Sequence, residues 1–459
     1  MLKIYNTLTH SIEEFTPINP PFVGMYSCGP TVYDFQHIGH MRRYVGDDIL
    51  IRVLQWNGYE VKHVMNITDV GHLTSDSDTG EDKMEKGAKK FGLSVWDIAR
   101  KFEKQFFDST DALRILPPDV LMHATDYIDE QIELIEVLEK KGYTYMLEDG
   151  VYFDTSKFPE YYKLSRQNPE DLKKGARVEF IEGKKNVSDF ALWKFSKPTE
   201  KRQMEWGSPW GNGFPGWHIE CSAMSMKELG ETFDIHTGGI DHIAIHHTNE
   251  IAQAECATGK QFVKYWVHHN FLTVEGEKMS KSLGNIFTVK DVVEKGFDPM
   301  ALRYLYLQTH YRQEMNFTWE SLEAAQTAYK KLIREFKSWD KNGLPSQEHL
   351  EAFTDALNDD LNTPKALAVI WDLVKAPIDS NIKAATLTDI DGVLGLGILD
   401  KELEEEKIEV PQEVMDLARE REDFRKAGDF TASDEIRRKI SDFGFEIKDT
   451  KNGFVISKK

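Results

Sequence analysis

The sequence predicts an α/β protein built on a parallel sheet, followed by a helical region and a small α+β domain. Residues Phe22 to Ser27 are apolar or small and run into a Gly-Pro breaker, which is typical of a buried strand. Apolar residues then recur at helical spacing from Ile38 to Leu54, and residues 59–65 alternate like a second strand. Such a strand–helix–strand unit usually belongs to a parallel sheet that binds ligands at the carboxyl ends of its strands.

The chain up to about residue 298 carries further elements of both kinds, and the section over 116–204 resembles an insertion between two halves of the sheet. The polar turn from Asn66 to His72 follows the second strand, where it is well placed for substrate contacts. The other predicted elements are helices over 95–115 and 124–141, a hairpin over 143–153, a strand over 233–236, a helix over 246–257 and a strand over 266–274.

After residue 298 the pattern is mostly helical. Asp298-Pro299 is a helix start signal, because an aspartate caps the first turn and a proline suits it. Amphipathic helices continue to about Leu399, and an acidic linker follows. The last segment is predicted to contain helices over 414–426 and 432–443 and two short strands, 445–447 and 454–456, joined by a turn at 451–453.

The composition indicates a soluble globular enzyme of three or more domains, since 459 residues can bury a sizeable core. No apolar run approaches the ~20 residues that span a bilayer, and the N-terminus lacks a signal-peptide pattern. Three cysteines make no disulfide framework, so we expect a cytoplasmic protein without membrane contact. The net charge of −20 excludes a broad basic surface, but local basic strips near the C-terminus allow a shape-specific RNA partner.

Two histidines, His37 and His40, lie three residues apart at the start of the first helix, so both can face one side. The unpaired N–H groups and the dipole of a helix N-terminus favour anions such as nucleotide phosphates. Gly39 leaves room for a flat ligand to approach the backbone. The alternative is that the two histidines only cap an amphipathic helix.

A second motif, Lys278-Met279-Ser280-Lys281-Ser282, lies between Gly276 and Gly284. It supplies two lysines and two hydroxyl groups on a segment that glycines allow to move, which suits the charge of a pyrophosphate leaving group. The alternative is a surface loop. Together, His37–His40 and Lys278–Ser282 resemble the two signatures of the class I aminoacyl-tRNA synthetases. That resemblance implies a Rossmann-like catalytic sheet, formation of an aminoacyl-adenylate and acyl transfer to tRNA.

The cysteines and one helix suggest a metal site. His246 and Glu250 are four residues apart on a predicted helix, so they share a face, and with Cys28 and Cys221 they form an acceptable zinc set. The alternative is that the thiols are core residues, as we expect for Cys256.

Three stretches strengthen the zinc interpretation: Cys28 to Asp34, Gly216 to Met224 and His246 to Gln253 resemble the cysteinyl-tRNA synthetase family. The resemblance implies that Cys28, Cys221, His246 and Glu250 hold one Zn²⁺. Zinc binds a thiolate far better than a hydroxyl, so cysteine can be distinguished from serine without an editing domain.

The same resemblance implies roles for other residues. It places Cys28, Gly29, Thr31, Thr68 and Trp217 around the amino acid, Gly238, Gly239 and Asp241 near the adenosine, and His37, Gly39, His40, Lys278 and Lys281 at the ATP phosphates. The alternative for Thr68 and Trp217 is that they are packing residues. The alternative for Gly238, Gly239 and Asp241 is a tight turn that Asp241 caps. His218 and His247 are expected to support the ligands, while His72, His242, His268 and His269 gain no role from spacing.

The implied substrates are ATP with Mg²⁺, L-cysteine and tRNA(Cys), and the family suggests a monomer. Single-stranded anticodon bases offer stacking partners for aromatic residues near the C-terminus. The alternatives are a cysteine ligase acting on an amino sugar and a catalytically silent tRNA-binding module. The expected domains are 1–115 and 205–298 (catalytic), 116–204 (connective insertion), 299–410 (stem-contact region and anticodon-binding bundle) and 411–459 (anticodon recognition), with Phe424, Phe430, Phe443 and Phe454 as stacking candidates.

Overall fold

The structure is a computed structural model that describes residues 1–72, 82–168, 183–197, 202–280, 283–401, 411–450 and 453–458. The chain divides into two compact units, Met1–Lys401 and Glu402–Lys459. None of the helices in the described ranges combines the length and apolar character needed to cross a bilayer.

The strands in the described residues are, in chain order, β1 (Lys3–Asn6), β2 (Ser11–Glu14), β3 (Phe22–Ser27), β4 (Glu60–Ile67), β5 (Val120–His123), β6 (Thr144–Leu147), β7 (Gly150–Phe153), β8 (Phe190–Phe195), β9 (Gly213–Pro215), β10 (Phe233–Gly239), β11 (Val263–His269), β12 (Leu272–Val274), β13 (Glu277–Lys278), β14 (Met315–Phe317), β15 (Phe445–Thr450) and β16 (Gly453–Lys458).

The α-helices in the same ranges are α1 (Ile38–Trp56), α2 (Lys83–Phe91), α3 (Val95–Ala112), α4 (Ile128–Lys140), α5 (Trp217–Leu229), α6 (His246–Thr258), α7 (Val289–Glu294), α8 (Pro299–Leu307), α9 (Trp319–Ser338), α10 (Gln347–Asn358), α11 (Thr363–Lys375), α12 (Ser380–Leu394), α13 (Gln412–Lys426) and α14 (Phe430–Asp442).

A five-stranded parallel sheet forms the centre of the first unit, with the strand order β11-β10-β3-β4-β5. The strand predicted from Phe22 to Ser27 is confirmed as β3, and the predicted helix and second strand are confirmed as α1 and β4. The strand order reverses between β3 and β10, so the carboxyl ends of these two neighbours flank a crevice. In open parallel sheets that crevice is where ligands bind.

A four-stranded antiparallel sheet, β6-β7-β8-β9, packs within the same unit. The hairpin predicted over 143–153 is confirmed as β6 and β7. Apolar side chains of this sheet, such as Phe153 and Trp193, belong to one buried cluster with Tyr26 and Ile219. The sheet is therefore packed against the elements that carry both predicted metal-binding cysteines.

The strand predicted over 266–274 is wrong as a single element. The chain leaves the central sheet after β11, at Asn270 and Phe271, and continues as β12 in a small sheet ordered β13-β12-β14. At this break the guanidinium of Arg42 donates to the carbonyl oxygens of both residues, at 3.0 and 2.7 Å. The short strand β14 also interrupts the region that was predicted to be mostly helical, since its backbone pairs with β12.

The helical region begins as predicted. Asp298 accepts a hydrogen bond from the amide of Met300 at 2.9 Å, and Pro299 occupies the first turn of α8. The C-terminal unit contains α13, α14 and the antiparallel pair β15-β16, whose register joins Thr450 to Gly453. The two predicted terminal strands are thus confirmed, while residues 451–452 of the predicted turn lie outside the described residues.

Candidate active site and metal centre

The crevice between β3 and β10 brings the predicted motifs together. Cys28 follows β3 directly, and its amide donates to the carbonyl oxygen of Thr237 in β10 at 3.4 Å. Helix α1 begins ten residues further on, with His37 as its N-cap. The signature histidines and the first cysteine therefore share one edge of the sheet.

A buried cluster lies at this edge and contains the four predicted metal ligands. Cys28 comes from the end of β3, Cys221 from α5, and His246 and Glu250 from one face of α6. One ligand atom from each residue lies within 4.8 Å of all the others, and all four residues are buried. Two sulfur donors, an imidazole and a carboxylate are a set that suits zinc.

The hydrogen bonds around the cluster leave its donor atoms facing inward. His246 places Nδ1 at 2.9 Å from Nδ1 of His218, and its Nε2 lies 3.0 Å from Oε1 of Glu250 without hydrogen-bond geometry. His236 approaches the other carboxylate oxygen, Oε2, at 2.8 Å. Oε1 of Glu250 is buried and accepts no hydrogen bond from the described residues. An orphaned carboxylate oxygen beside an oriented imidazole is what a metal site requires.

The charges of the cluster are strongly coupled. Burial raises the pKa of Cys28, but a hydrogen bond from Cys221 and the charge of His247 outweigh it and hold that pKa well below its usual value. The hydrogen bond to Cys28, together with burial, raises the pKa of Cys221. Burial opposes the ionised form of Glu250, but the imidazoles of His236 and His246 lower its pKa to about 2. Burial lowers the pKa of His236 and of His246, but the charge of Glu250 outweighs it and raises both, so the carboxylate is balanced by imidazolium groups whose place a divalent cation could take.

Other histidines extend this arrangement further than sequence spacing indicated. Nε2 of His247 lies 3.4 Å from Sγ of Cys28, and its Nδ1 lies 2.8 Å from Nε2 of His268. His268 in turn contacts Oγ1 of Thr7 at 2.7 Å. A supporting role was expected for His247 but not for His268. The position of His268 in the sheet could have indicated this role, because His268 pairs in register with Gly238 near the carboxyl ends of neighbouring parallel strands.

His37 and His40 form a stacked pair with ring centroids 3.5 Å apart. Each backbone amide is directed to Nδ1 of the other imidazole, at 3.3 and 3.4 Å, which closes a capping box. Desolvation lowers the pKa of His37 to about 4, and desolvation and the charge of His37 lower the pKa of His40, although His40 still reaches solvent. Because each Nδ1 accepts from a backbone amide, a neutral ring carries its proton on Nε2, where it can be donated to a ligand.

The predicted lysine loop contacts this pair in part. A Cβ added to Gly39 would lie 2.4 Å from Cε of Met279, so the methionine covers the bare backbone that was expected to admit a flat ligand. Lys278 is exposed, with Nζ 6.0 Å from the ring centroid of Phe271. Lys281 lies outside the described residues.

The predicted amino-acid pocket includes a buried polar network. Oγ1 of Thr68 donates to Glu220 at 3.0 Å and accepts from Asn66 at 3.0 Å, while Oδ1 of Asn66 accepts from the amide of Gly29 at 2.7 Å. His72 completes the network, with Nε2 2.5 Å from Glu220. Sequence reasoning missed Glu220 and His72, although Glu220 directly precedes Cys221.

The remaining predicted residues contact one another or residues described above. Thr31 forms a backbone bridge with Thr68, and the ring of Trp217 lies 4.4 Å from that of His246. A Cβ on Gly238 would lie 2.5 Å from His247, and one on Gly239 would lie 2.2 Å from Oδ1 of Asp241. Asp241 itself is exposed.

Comparison with known families agrees with this geometry. Residues 14–327 match the family model described as the tRNA synthetases class I (C) catalytic domain, and residues 352–398 match the DALR domain. The fold resembles Mycobacterium tuberculosis methionyl-tRNA synthetase in complex with methionyl-adenylate, with a TM-score of 0.54 at 16% identity over 82% of this chain and 90% of that one.

Full-length relatives are much closer in sequence. The chain is 49% identical to cysteine--tRNA ligase 1 of Burkholderia lata over 98% of this chain and 96% of the relative. It is 44% identical to a cysteine--tRNA ligase of Thermus thermophilus over 98% of both chains. The chain therefore belongs to the class I tRNA synthetase family, among the cysteine--tRNA ligases.

Proposed function

We propose that this chain joins L-cysteine to tRNA(Cys) at the crevice between β3 and β10, the reaction of a cysteine--tRNA ligase (EC 6.1.1.16). The observation that carries the proposal is the buried Cys28, Cys221, His246 and Glu250 cluster, which shares a sheet edge with the His37–His40 pair. The four-residue cluster selects the thiol of cysteine, and the His37–His40 pair receives the phosphates of ATP. Side by side, they bring the cysteine carboxylate to ATP.

In the first step, a carboxylate oxygen of cysteine attacks the α-phosphorus of ATP, which is bound with Mg²⁺. The bond from that phosphorus to the bridging oxygen breaks, pyrophosphate leaves and cysteinyl-adenylate forms. The neutral imidazoles of His37 and His40 offer Nε2–H donors to the phosphate oxygens, and Lys278 and Lys281 balance the charge of the pyrophosphate. These groups act by positioning and electrostatics rather than by covalent chemistry.

Selection of cysteine depends on the four-residue cluster. Cys28, Cys221, His246 and Glu250 would hold Zn²⁺, which when bound supplies a Lewis acid that coordinates the substrate thiolate. The chain's own part is to fix the donors, and His218 orients His246 for this purpose. Serine has no group of comparable affinity for zinc, so one bond discriminates between the two amino acids.

In the second step, a hydroxyl oxygen of the terminal ribose of the tRNA attacks the cysteinyl carbonyl carbon, and AMP leaves with the electrons of the broken acyl–phosphate bond. The proton of that hydroxyl passes to a phosphate oxygen of the departing AMP. We assign the anticodon to the helical bundle and the C-terminal unit. Phe430 and Phe443 are 61% and 46% exposed and can stack on bases, whereas Phe424 and Phe454 pack against the core of that unit. We also propose that the protein is a monomer and that it acts in the cytoplasm.

Cysteine-dependent ATP–pyrophosphate exchange and metal content test this function together. The wild type is expected to hold one zinc per chain and to exchange with cysteine but not with serine. Cys221→Ala should lose both properties. Cys256→Ala is the matched control, because Cys256 is also a buried free cysteine but lies outside the metal-binding groups.

The outcomes separate the rival activities. Absence of cysteine-dependent exchange in the wild type would contradict the proposal and favour a silent tRNA-binding module. Exchange without charging of tRNA(Cys), but with transfer to an amino sugar, would favour the second ligase. The 49% identity to cysteine--tRNA ligase 1 of Burkholderia lata over 98% of this chain weighs against that ligase, because an amino-sugar enzyme needs no anticodon-binding part.

A further inference from the structure

Arg43 connects the signature helix to the metal-binding cluster. It lies on α1, three residues after His40, and its Nη2 donates to the backbone carbonyl oxygen of Cys28. Its Nη1 donates to Oδ2 of Asp47 at 3.0 Å, and the guanidinium lies 3.8 Å from the ring centroid of Tyr44. The side chain is only 12% exposed. Both terminal nitrogens of the planar guanidinium fork therefore donate hydrogen bonds at the same time.

Asp47 is itself held in place, so the guanidinium of Arg43 is bonded to a carboxylate whose position is fixed. Oδ1 of Asp47 lies 2.9 Å from Nε2 of His269, and the carboxylate is 2% exposed. His269 fits there because Gly46 carries no side chain, since a Cβ on it would lie 2.3 Å from the imidazole. His269, Asp47 and Arg43 thus form a buried series of contacts that ends at the backbone carbonyl oxygen of Cys28.

The amide side of Cys28 is held less firmly. Its N–H reaches the carbonyl oxygen of Thr237 at 3.4 Å, at the long end of hydrogen-bond distances. A charge-assisted bond from a guanidinium to the carbonyl of the same residue is stronger. The contact with Arg43 therefore holds the peptide plane that follows Cα of Cys28, and with it the backbone from which the Cys28 side chain projects.

We propose that Arg43 is a positioning residue for the metal ligand Cys28, with Asp47 as its anchor. This inference rests on the proposed zinc-dependent function. It predicts that metal affinity depends on the fork geometry of the arginine and not on positive charge alone, because an ammonium group cannot bond Asp47 and the Cys28 carbonyl in the same way.

Arg52 provides a matched control on the same helix. It pairs with Asp48 at 2.9 Å with the same i,i+4 spacing, is 14% exposed, and donates to the carbonyl oxygens of Gly392 and Arg114. These acceptors contribute nothing to the metal cluster. Arg52→Lys therefore reproduces the loss of a forked arginine on α1 without touching Cys28.

The test measures zinc affinity of the full-length protein by competition with a chromophoric chelator, together with thermal unfolding. Arg43→Lys and Arg43→Gln are each expected to weaken zinc binding by about tenfold or more, as for groups that orient metal ligands. Arg52→Lys should change it by less than about twofold, because distant sites act independently. In Co²⁺-loaded protein, the thiolate-to-metal charge-transfer band should change in both Arg43 variants but not in Arg52→Lys.

The outcomes decide between a specific and a general effect. Wild-type zinc affinity in Arg43→Lys would overturn the proposal, since charge without the fork would then suffice. Equal weakening in Arg52→Lys would also overturn it, because the effect would be one of helix stability. If Arg43→Gln fails to fold, Asp47→Asn decides: it keeps Arg43 but weakens its anchor, and unchanged affinity there would contradict the proposal. A wild type without zinc affinity would overturn the metal site itself along with this inference.

Discussion

Asp69 is a buried carboxylic acid beside the pocket, at the end of β4. It accepts hydrogen bonds from the amide and the hydroxyl of Thr125, at 3.0 and 2.6 Å. Burial raises its pKa from 3.8 to about 6, and the charge of Glu220 adds to the effect, although the bonds from Thr125 oppose it. Between pH 4 and 6 the folded state therefore binds more protons than the unfolded state.

The pKa of Asp69 predicts that its contribution to stability is lost as the pH rises from about 4 to 6, by roughly 2 to 3 kcal/mol at most. Asp69→Asn cannot ionise, so its advantage over the wild type should grow across this interval. Urea unfolding at pH 4, 5, 6 and 7 measures the difference. A constant difference between the two proteins would contradict the raised pKa.

Two glycines of the first motif should respond differently to alanine. A Cβ on Gly29 would lie 1.5 Å from the backbone oxygen of Asn66, whereas one on Gly39 meets the flexible end of Met279. Gly29→Ala should therefore cost more than about 3 kcal/mol of stability. Gly39→Ala should stay within about 1 kcal/mol of the wild type. If Gly39 serves ATP, its variant should raise the KM for ATP in pyrophosphate exchange, and an unchanged KM would contradict that role.

The metal ligands were predicted from the resemblance to a family, but the residues that surround those ligands could not be predicted from the sequence. Cys28 and Cys221 lie far apart along the chain, so spacing alone left packing as an alternative. Glu220, His72 and His268 acquire partners only through the meeting of separate strands and helices. No local pattern records those contacts.

At the scale of elements, local patterns predicted β3, α1, β4 and the start of α8, because burial and capping are written in neighbouring residues. The break between β11 and β12 was missed. The carbonyl groups at this break accept hydrogen bonds from Arg42, which is more than two hundred residues away in sequence. Strand β14 was missed for the same reason, since only its partner β12 makes it a strand.

Helices α1 and α8 are joined by a buried ion pair. Asp48 on α1 receives a bond from Nη2 of Arg303 on α8, and both side chains are fully buried. Asp48→Ala would leave that guanidinium without its counter-ion and should cost about 3–5 kcal/mol of unfolding free energy.

An exposed pair gives the control for Asp48→Ala. Asp108 lies 2.7 Å from Lys104 and is 62% exposed, so Asp108→Ala should cost less than about 1 kcal/mol. Urea denaturation of both variants gives the comparison. Equal losses in the two variants would show that the buried pair has no special structural role.

At the scale of the molecule, every predicted catalytic, nucleotide, pocket and metal residue that the structure describes belongs to the unit Met1–Lys401. The C-terminal unit has its own small core, which includes Val414, Ile440 and Phe445. A chain ending at Lys401 should therefore keep cysteine-dependent exchange.

The same truncated chain should charge tRNA poorly. Each lost base contact costs roughly 1–3 kcal/mol, so charging at low tRNA concentration should fall by at least about tenfold. Exchange and aminoacylation assays on one preparation separate the two activities. Normal charging by the shortened chain would place anticodon recognition elsewhere.

Zinc K-edge X-ray absorption measures whether a metal held by Cys28, Cys221, His246 and Glu250 binds the substrate thiol. Two sulfur ligands at about 2.3 Å are expected in the free protein. One further sulfur ligand is expected after addition of L-cysteine and no change after L-serine. A sulfur count that stays the same when cysteine binds would contradict selection of cysteine by the metal.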